Sequence, residues 1–74
     1  MEEIDVSLPS KFIDASVDED FDKALKIAKL MAKQHHRPLT DELKILSDSA
    51  AMVLSIDEMT AVFSMVEDIR NYEA

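Results

Sequence analysis

Two adjacent histidines are the residues of this 74-residue chain whose types best suit acid–base or metal chemistry. His35 and His36 are its only histidines, and the chain has no cysteine. Neighbouring residues on a helix point about 100° apart, so the two imidazoles would not converge on one metal ion. No serine, histidine and acid stand at a spacing that indicates a catalytic triad, and a cysteine nucleophile is excluded. The sequence therefore predicts no catalytic residue, no metal ligand and no cofactor.

Adjacent pairs of acids are the other candidates for acid–base chemistry. The pairs are Asp41–Glu42, Asp57–Glu58 and Glu67–Asp68. Adjacent residues on a helix do not face each other. The first two pairs also fall at predicted helix starts, where acids complement the helix dipole. Because a chain of this size rarely forms the deep pocket that an active site needs, we predict that it is not an enzyme.

The charged residues fall into three blocks along the chain. Residues 1–22 hold eight acids and one base, residues 23–37 hold five bases and no acid, and residues 38–74 hold eight acids and two bases. The blocks carry −7, +5 and −6, in agreement with the net charge of −8. The basic block is a candidate electrostatic contact. Its members are Lys23, Lys26, Lys29, Lys33 and Arg37.

Three interpretations of this charge layout stay open. The bases could complement the dipole of their own helix and pair with acids on neighbouring helices. They could instead contact nucleic acid, although the acidic whole repels phosphates and the block has no aromatic residue to stack on bases. Direct nucleic-acid binding is therefore not expected. The acids could also imitate a polyanion, which would make the chain a DNA mimic that inhibits a nucleic-acid-binding enzyme.

Composition and hydropathy limit the fold class. A chain that is 47% hydrophobic and 32% charged is typical of a folded domain, and its lack of glycine disfavours β-hairpins and phosphate-binding loops. No apolar run approaches the roughly 20 residues that span a membrane. The N-terminus, MEEIDVSLP, is acidic rather than basic and then apolar, unlike a signal peptide. We expect an all-α cytoplasmic protein that does not contact a membrane.

The elements that would position these residues are an N-terminal arm and a small three-helix bundle. Ile4, Val6 and Leu8 alternate with polar residues and predict an extended arm over residues 1–15, ahead of a helical domain over residues 16–74. Residues 10–15 of this arm could make one helical turn that carries Phe12 and Ile13. Ser16 and Glu19 form an S-x-x-E pattern typical of a helix start. The first helix is therefore expected over residues 17–35.

Two further helices are predicted over residues 39–54 and 56–72. Pro38 either occupies the first position of the second helix or precedes a cap at Thr40. A second S-x-x-E pattern at Ser55 and Glu58 coincides with a shift in the phase of the apolar stripe, which favours a break there. One continuous helix over residues 39–72 is the alternative.

The predicted helices carry more apolar surface than three helices bury among themselves. The third helix is apolar around about 200° of its circumference. The arm could cover this excess, or it could form an interface with a second copy or another protein. We therefore expect a small acidic interaction module (a regulator, inhibitor, adaptor or assembly factor). It would self-associate through the third helix as a homodimer or larger assembly and could bind a larger target protein. The candidate interface residues are Ile27, Leu30, Met52, Met59, Val62, Met65, Val66, Ile69 and Tyr72.

Overall fold

The computed structural model describes residues 6–73, and within that range the chain forms four α-helices and no strand. The helices are α1 (Leu8–Val17), α2 (Phe21–Gln34), α3 (Leu39–Val53) and α4 (Ile56–Glu73). The predicted all-α class is confirmed. The predicted three-helix bundle is wrong, because a fourth helix occupies part of the segment that was assigned to the arm.

Helix α1 replaces most of the predicted arm. Pro9 lies in its first turn, where a missing backbone N–H leaves no helical hydrogen bond unmade. Leu8, Phe12 and Ala15 follow each other at spacings of four and three and are all buried. The strand-like alternation does not describe this segment: Val6 is exposed, and Ile4 lies outside the described residues.

The S-x-x-E pattern at Ser16 does not start a helix. Ser16 lies in the last turn of α1, where its buried hydroxyl donates a hydrogen bond of 2.8 Å to the carbonyl oxygen of Phe12. Helix α2 begins instead after Asp20, whose carboxylate accepts a hydrogen bond of 3.2 Å from the backbone N–H of Lys23. The predicted helix over residues 17–35 is therefore shorter and starts four residues later.

The turn between α1 and α2 has the hydrogen bonds of a Schellman motif. The N–H of Asp20 donates to Ala15 O at 2.9 Å, and the N–H of Glu19 donates to Ser16 O at 3.1 Å. This motif places Glu19 in the left-handed region at φ 58°. Glycine usually takes that position, and this chain has none.

The turn between α2 and α3 repeats this motif. The N–H of Arg37 donates to Ala32 O at 3.1 Å, and the N–H of His36 donates to Lys33 O at 3.2 Å. His36 takes the left-handed position, with φ 54°. Pro38 follows in an extended conformation and is the N-cap of α3. It therefore lies one residue before the first helical position, where one of the two predictions placed it.

The predicted break between the last two helices is confirmed, and one continuous helix is excluded. Leu54 has an extended backbone, with φ −102° and ψ 159°. The Ser55 Oγ accepts a long hydrogen bond of 3.4 Å from the N–H of Glu58 and donates one of 2.9 Å to the Glu58 carboxylate. The serine and the glutamate of the S-x-x-E pattern are thus hydrogen-bonded to each other at the start of α4.

The four helices enclose one hydrophobic core. Helix α1 packs on α2 and α4, and α3 packs on α4 and α2. Phe12, Met31, Leu43 and Ile69 are the largest of the fully buried side chains, together with the smaller Val62. The radius of gyration of 11.4 Å is close to the roughly 11 Å expected for a compact chain of this length.

No helix in the described range is long and apolar enough to cross a membrane. The cytoplasmic location expected from the N-terminal sequence stays a prediction.

Candidate interaction surfaces

Most of the candidate interface on the last predicted helix lies in the core of the chain itself. Val62, Met65, Val66 and Ile69 of α4 are buried, as is Ile27 of α2. Helix α1 packs against both α2 and α4, so it accounts for much of the apolar excess that the sequence shows. These five side chains are not accessible to a partner while the fold is intact.

The other four candidates differ in exposure. Leu30, Met52 and Tyr72 are exposed, and Met59 is half-buried. The Tyr72 ring makes an edge-to-face contact with Phe21, with 5.4 Å between the ring centroids and 72° between the planes. Tyr72 therefore has an aromatic partner in the chain, whereas Leu30 and Met52 lie outside the hydrophobic core.

A cluster of exposed apolar side chains lies where α3 meets α4. Met52, Val53 and Ile56 are 83%, 76% and 76% exposed, and only Leu54 and Ser55 separate them along the chain. We call these three residues the apolar tip. Two further exposed apolar residues continue it along the helices: Ile45, seven residues before Met52 on α3, and Phe63, seven residues after Ile56 on α4.

Of the apolar tip, only Met52 is among the interface residues predicted from the sequence, and Val53 and Ile56 are not. The capping pattern at Ser55 is the sequence signal that could have indicated the exposure of Val53 and Ile56. Residues that flank a helix break lie at the ends of both helices, where the neighbouring helices cover them least.

The basic block forms an exposed row on α2. Lys23, Lys26, Lys29 and Lys33 are all exposed. The Lys29 Nζ lies 3.0 Å from Glu73 Oε1, which joins α2 to the end of α4. In the described part of the chain, Lys26 and Lys33 form no ion pair. The internal pairing that was one interpretation of this block therefore accounts for only part of it.

A shallow, open groove of about 390 Å³ lies along this row on α2. Its apolar contribution comes from Leu25, which packs against the core, and from Leu30, which is 45% exposed. The α2 residues that line the groove are Asp22, Leu25, Lys26, Lys29, Leu30 and Lys33. Lysine side chains can cover apolar surface with their methylene stems while their ammonium groups stay in water. The groove thus combines apolar contact with positive charge.

The fifth base, Arg37, belongs to a different environment at the start of α3. Glu42 is only 2% exposed, and its Oε1 lies 2.8 Å from His35 Nδ1 and 3.6 Å from Arg37 Nε. Both partners come from the turn after α2, and both are about one-third exposed. A buried carboxylate is costly unless it is paired, and this one is paired within the chain.

The sequence indicates that Glu42 complements the dipole of its helix, and it does not predict the burial of this residue. Local sequence carries little signal for it, because its partners lie five and seven residues away across a turn. His36 is exposed in the left-handed position and does not join His35 in this cluster. Within residues 6–73, no group of three histidine or acidic side chains is placed to hold a metal ion.

Comparison with protein families, curated proteins and solved structures gives no match for this chain. What the chain does must therefore be inferred from its own surfaces, of which the apolar tip and the α2 row are the most distinctive.

Proposed function

We propose that this chain is a small protein–protein interaction module that self-associates, with the apolar tip at the centre of the contact. The observation that supports this is the exposure of Met52, Val53 and Ile56, each at least 76%, within a span of five residues at the junction of α3 and α4. Single exposed apolar residues are ordinary, whereas contiguous ones mark interaction sites. Methionine suits such a surface because its side chain is flexible and polarisable.

The physical gain from association would come from burying these side chains. Full burial of one aliphatic side chain contributes about 1.5–3 kcal/mol. In a two-fold dimer the same patch contributes from both copies. The apolar tip alone is smaller than the roughly 800 Å² per partner of a standard interface, so Ile45 and Phe63 would extend the contact along both helices. A larger target protein could use the same surface, in which case the chain would act as a regulator, inhibitor or adaptor.

Measurement of molar mass against concentration tests this proposal. Sedimentation equilibrium or light scattering from about 1 µM to about 1 mM covers the range of ordinary weak to moderate association. Met52→Asp should shift the mass towards that of the monomer, because it places a charge in the contact. Ala51→Asp is the matched control, since Ala51 is also exposed on α3 and lies outside the apolar tip.

Far-UV circular dichroism must show that both variants keep the helical content and melting temperature of the wild type. A wild-type mass that stays monomeric over the whole range would overturn self-association. Equal dissociation in Met52→Asp and Ala51→Asp would remove the apolar tip from the contact.

Contact with nucleic acid is the second candidate, and the exposure of the lysine row favours it. Direct binding would use Lys26 and Lys33, since Lys29 and Arg37 already contact carboxylates. A DNA mimic would use the acidic surfaces instead. Titration with a DNA duplex at several salt concentrations separates direct binding from apolar association. Phosphate contacts weaken steeply as salt rises, whereas apolar contacts do not.

A further inference from the structure

The outer face of α2 has a regular pattern of charge. At 100° per residue, Lys26, Lys29 and Lys33 fall within an arc of about 60°, and Leu30 lies beside them. All four are exposed, and Leu30 is not part of the hydrophobic core. Lys26 and Lys33 are seven residues apart, which separates them by about 10.5 Å along the helix axis. This face therefore presents two cations that form no ion pair within residues 6–73, beside an apolar side chain.

The outer face of α3 carries mainly acids, with one exposed base, Lys44, at its edge. Asp41, Ile45, Asp48 and Met52 are all exposed, and at 100° per residue they fall within an arc of about 60°. The two aspartates are seven residues apart, and so are the two apolar residues. Over the described range, neither Asp41 nor Asp48 forms an ion pair. Helix α3 is thus an acidic amphipathic helix whose outer face includes one residue of the apolar tip.

The two faces match in spacing and in chemistry. Lys26 and Lys33 repeat every seven residues, as do Asp41 and Asp48, so two antiparallel or parallel helices could pair both charges at once. In either orientation Leu30 would then lie next to Ile45, and Met52 would lie about one turn beyond the paired segment. We propose that the α2 face of one copy binds the α3 face of a second copy.

This inference rests on the self-association proposed above and specifies which surfaces meet. A second copy is the occupant favoured by the structure because the chain itself carries an acidic, apolar helix of matching repeat. Each copy carries a net charge of −8, so two copies repel each other at long range. Local complementarity between the basic α2 face and the acidic α3 face is what would overcome that repulsion and fix the register of the contact.

Charge reversal on α2 is the first test. Lys26→Glu with Lys33→Glu should weaken self-association at least about tenfold, as measured by sedimentation equilibrium, because two attractive pairs become repulsive. The control is Lys11→Glu with Arg70→Glu, which makes the same change in net charge at exposed positions on α1 and α4, outside both faces. An equal loss in the control would show a net-charge effect only and overturn the proposal.

A full charge swap is the sharper test. Combining Lys26→Glu and Lys33→Glu with Asp41→Lys and Asp48→Lys keeps the net charge at −8. The swapped chain should associate with itself to within about threefold of the wild-type affinity, and it should not associate with the wild-type chain. Circular dichroism melts confirm that each variant is folded. Failure of the swapped chain to self-associate while folded would overturn the proposal.

The outcomes separate this inference from the proposed function. A wild-type chain that is monomeric throughout would defeat both. A chain whose self-association is lost in Met52→Asp but is unchanged by reversal of Lys26 and Lys33 would keep the apolar tip and defeat the α2–α3 contact. Binding of a DNA duplex that disappears on the same reversal, without self-association, would assign the row to nucleic acid and overturn the inference.

Discussion

Near its start α3 buries a charge, and at its end it exposes apolar side chains. Glu42 is 2% exposed, whereas Met52, ten residues and about 15 Å further along the axis, is 83% exposed. Both residues depart from the usual distribution of polar and apolar groups. The charge at the first end is satisfied by His35 and Arg37 of the same chain. Within residues 6–73 the apolar side chains at the second end stay exposed, and this exposure is the observation on which the proposed self-association rests.

The largest expected change in stability is that of Glu42→Lys, which is compared with Met52→Lys near the other end of α3. Glu42→Lys would replace the buried carboxylate by a positive charge next to the Arg37 guanidinium and would leave His35 without its partner. This should lower the free energy of unfolding by about 3–5 kcal/mol. Met52→Lys changes an exposed residue and should leave that free energy within about 0.5 kcal/mol of the wild type. Urea unfolding followed by far-UV circular dichroism measures both. A Glu42→Lys protein as stable as the wild type would mean that the carboxylate is not held as the structure shows.

Removing the partners of Glu42 separately should give smaller losses of different size. His35→Ala removes the 2.8 Å contact and should lower the free energy of unfolding by about 1–2 kcal/mol, whereas Arg37→Ala removes one of 3.6 Å and should cost less than about 1 kcal/mol. Both values allow for screening by water, because each partner is about one-third exposed. The same urea titrations measure the order, and a larger loss in Arg37→Ala would reverse the assigned roles.

Glycine substitutions at the two residues of the turn next to Glu42 should have opposite effects on the free energy of unfolding. His36→Gly should raise the free energy of unfolding by about 1 kcal/mol, because glycine takes a φ of 54° without the cost that a side chain imposes. His35→Gly should lower it, because His35 has a negative φ of −91° and holds Glu42. Thermal melts of the two variants should therefore move in opposite directions. A lower melting temperature for His36→Gly would contradict the strain assigned to this turn.

Sequence patterns that span only one helical turn predicted the break between α3 and α4 correctly. Ser55 and Glu58 are three residues apart, and the phase shift of the apolar stripe occurs at the same place. The same S-x-x-E pattern failed at Ser16, because the hydroxyl there bonds back to Phe12 inside a helix that had already begun. A short pattern cannot distinguish the end of one helix from the start of the next when only three residues separate them.

Long-range packing decided what sequence could not predict. The alternation around Val6 and Leu8 predicts an extended arm with at most one helical turn, whereas α1 is a ten-residue helix in which Leu8, Phe12 and Ala15 have helical spacing. Once α1 is in place it covers Met65 and its neighbours, so the predicted interface on α4 becomes core. The apolar residues that stay exposed could be identified only once the residues buried by α1 were known. Leu30 and Met52 are exposed in the folded chain, and the lysine row is exposed as its sequence indicates.

The smallest expected effect lies at the cap between the two exposed helix ends. Ser55→Ala removes an acceptor that is 3.4 Å from the N–H of Glu58, so it should lower the free energy of unfolding by only about 0.5 kcal/mol. Ser49→Ala, at an exposed position inside α3, should leave it unchanged or raise it slightly, since alanine favours a helix interior. Urea titrations compare the two. If Ser55→Ala also changed the concentration dependence of the molar mass, the cap would do more than begin α4: it would set the angle between the two helix ends that carry Met52 and Ile56. A change in stability without a change in self-association would instead show that the apolar tip tolerates a loosened turn.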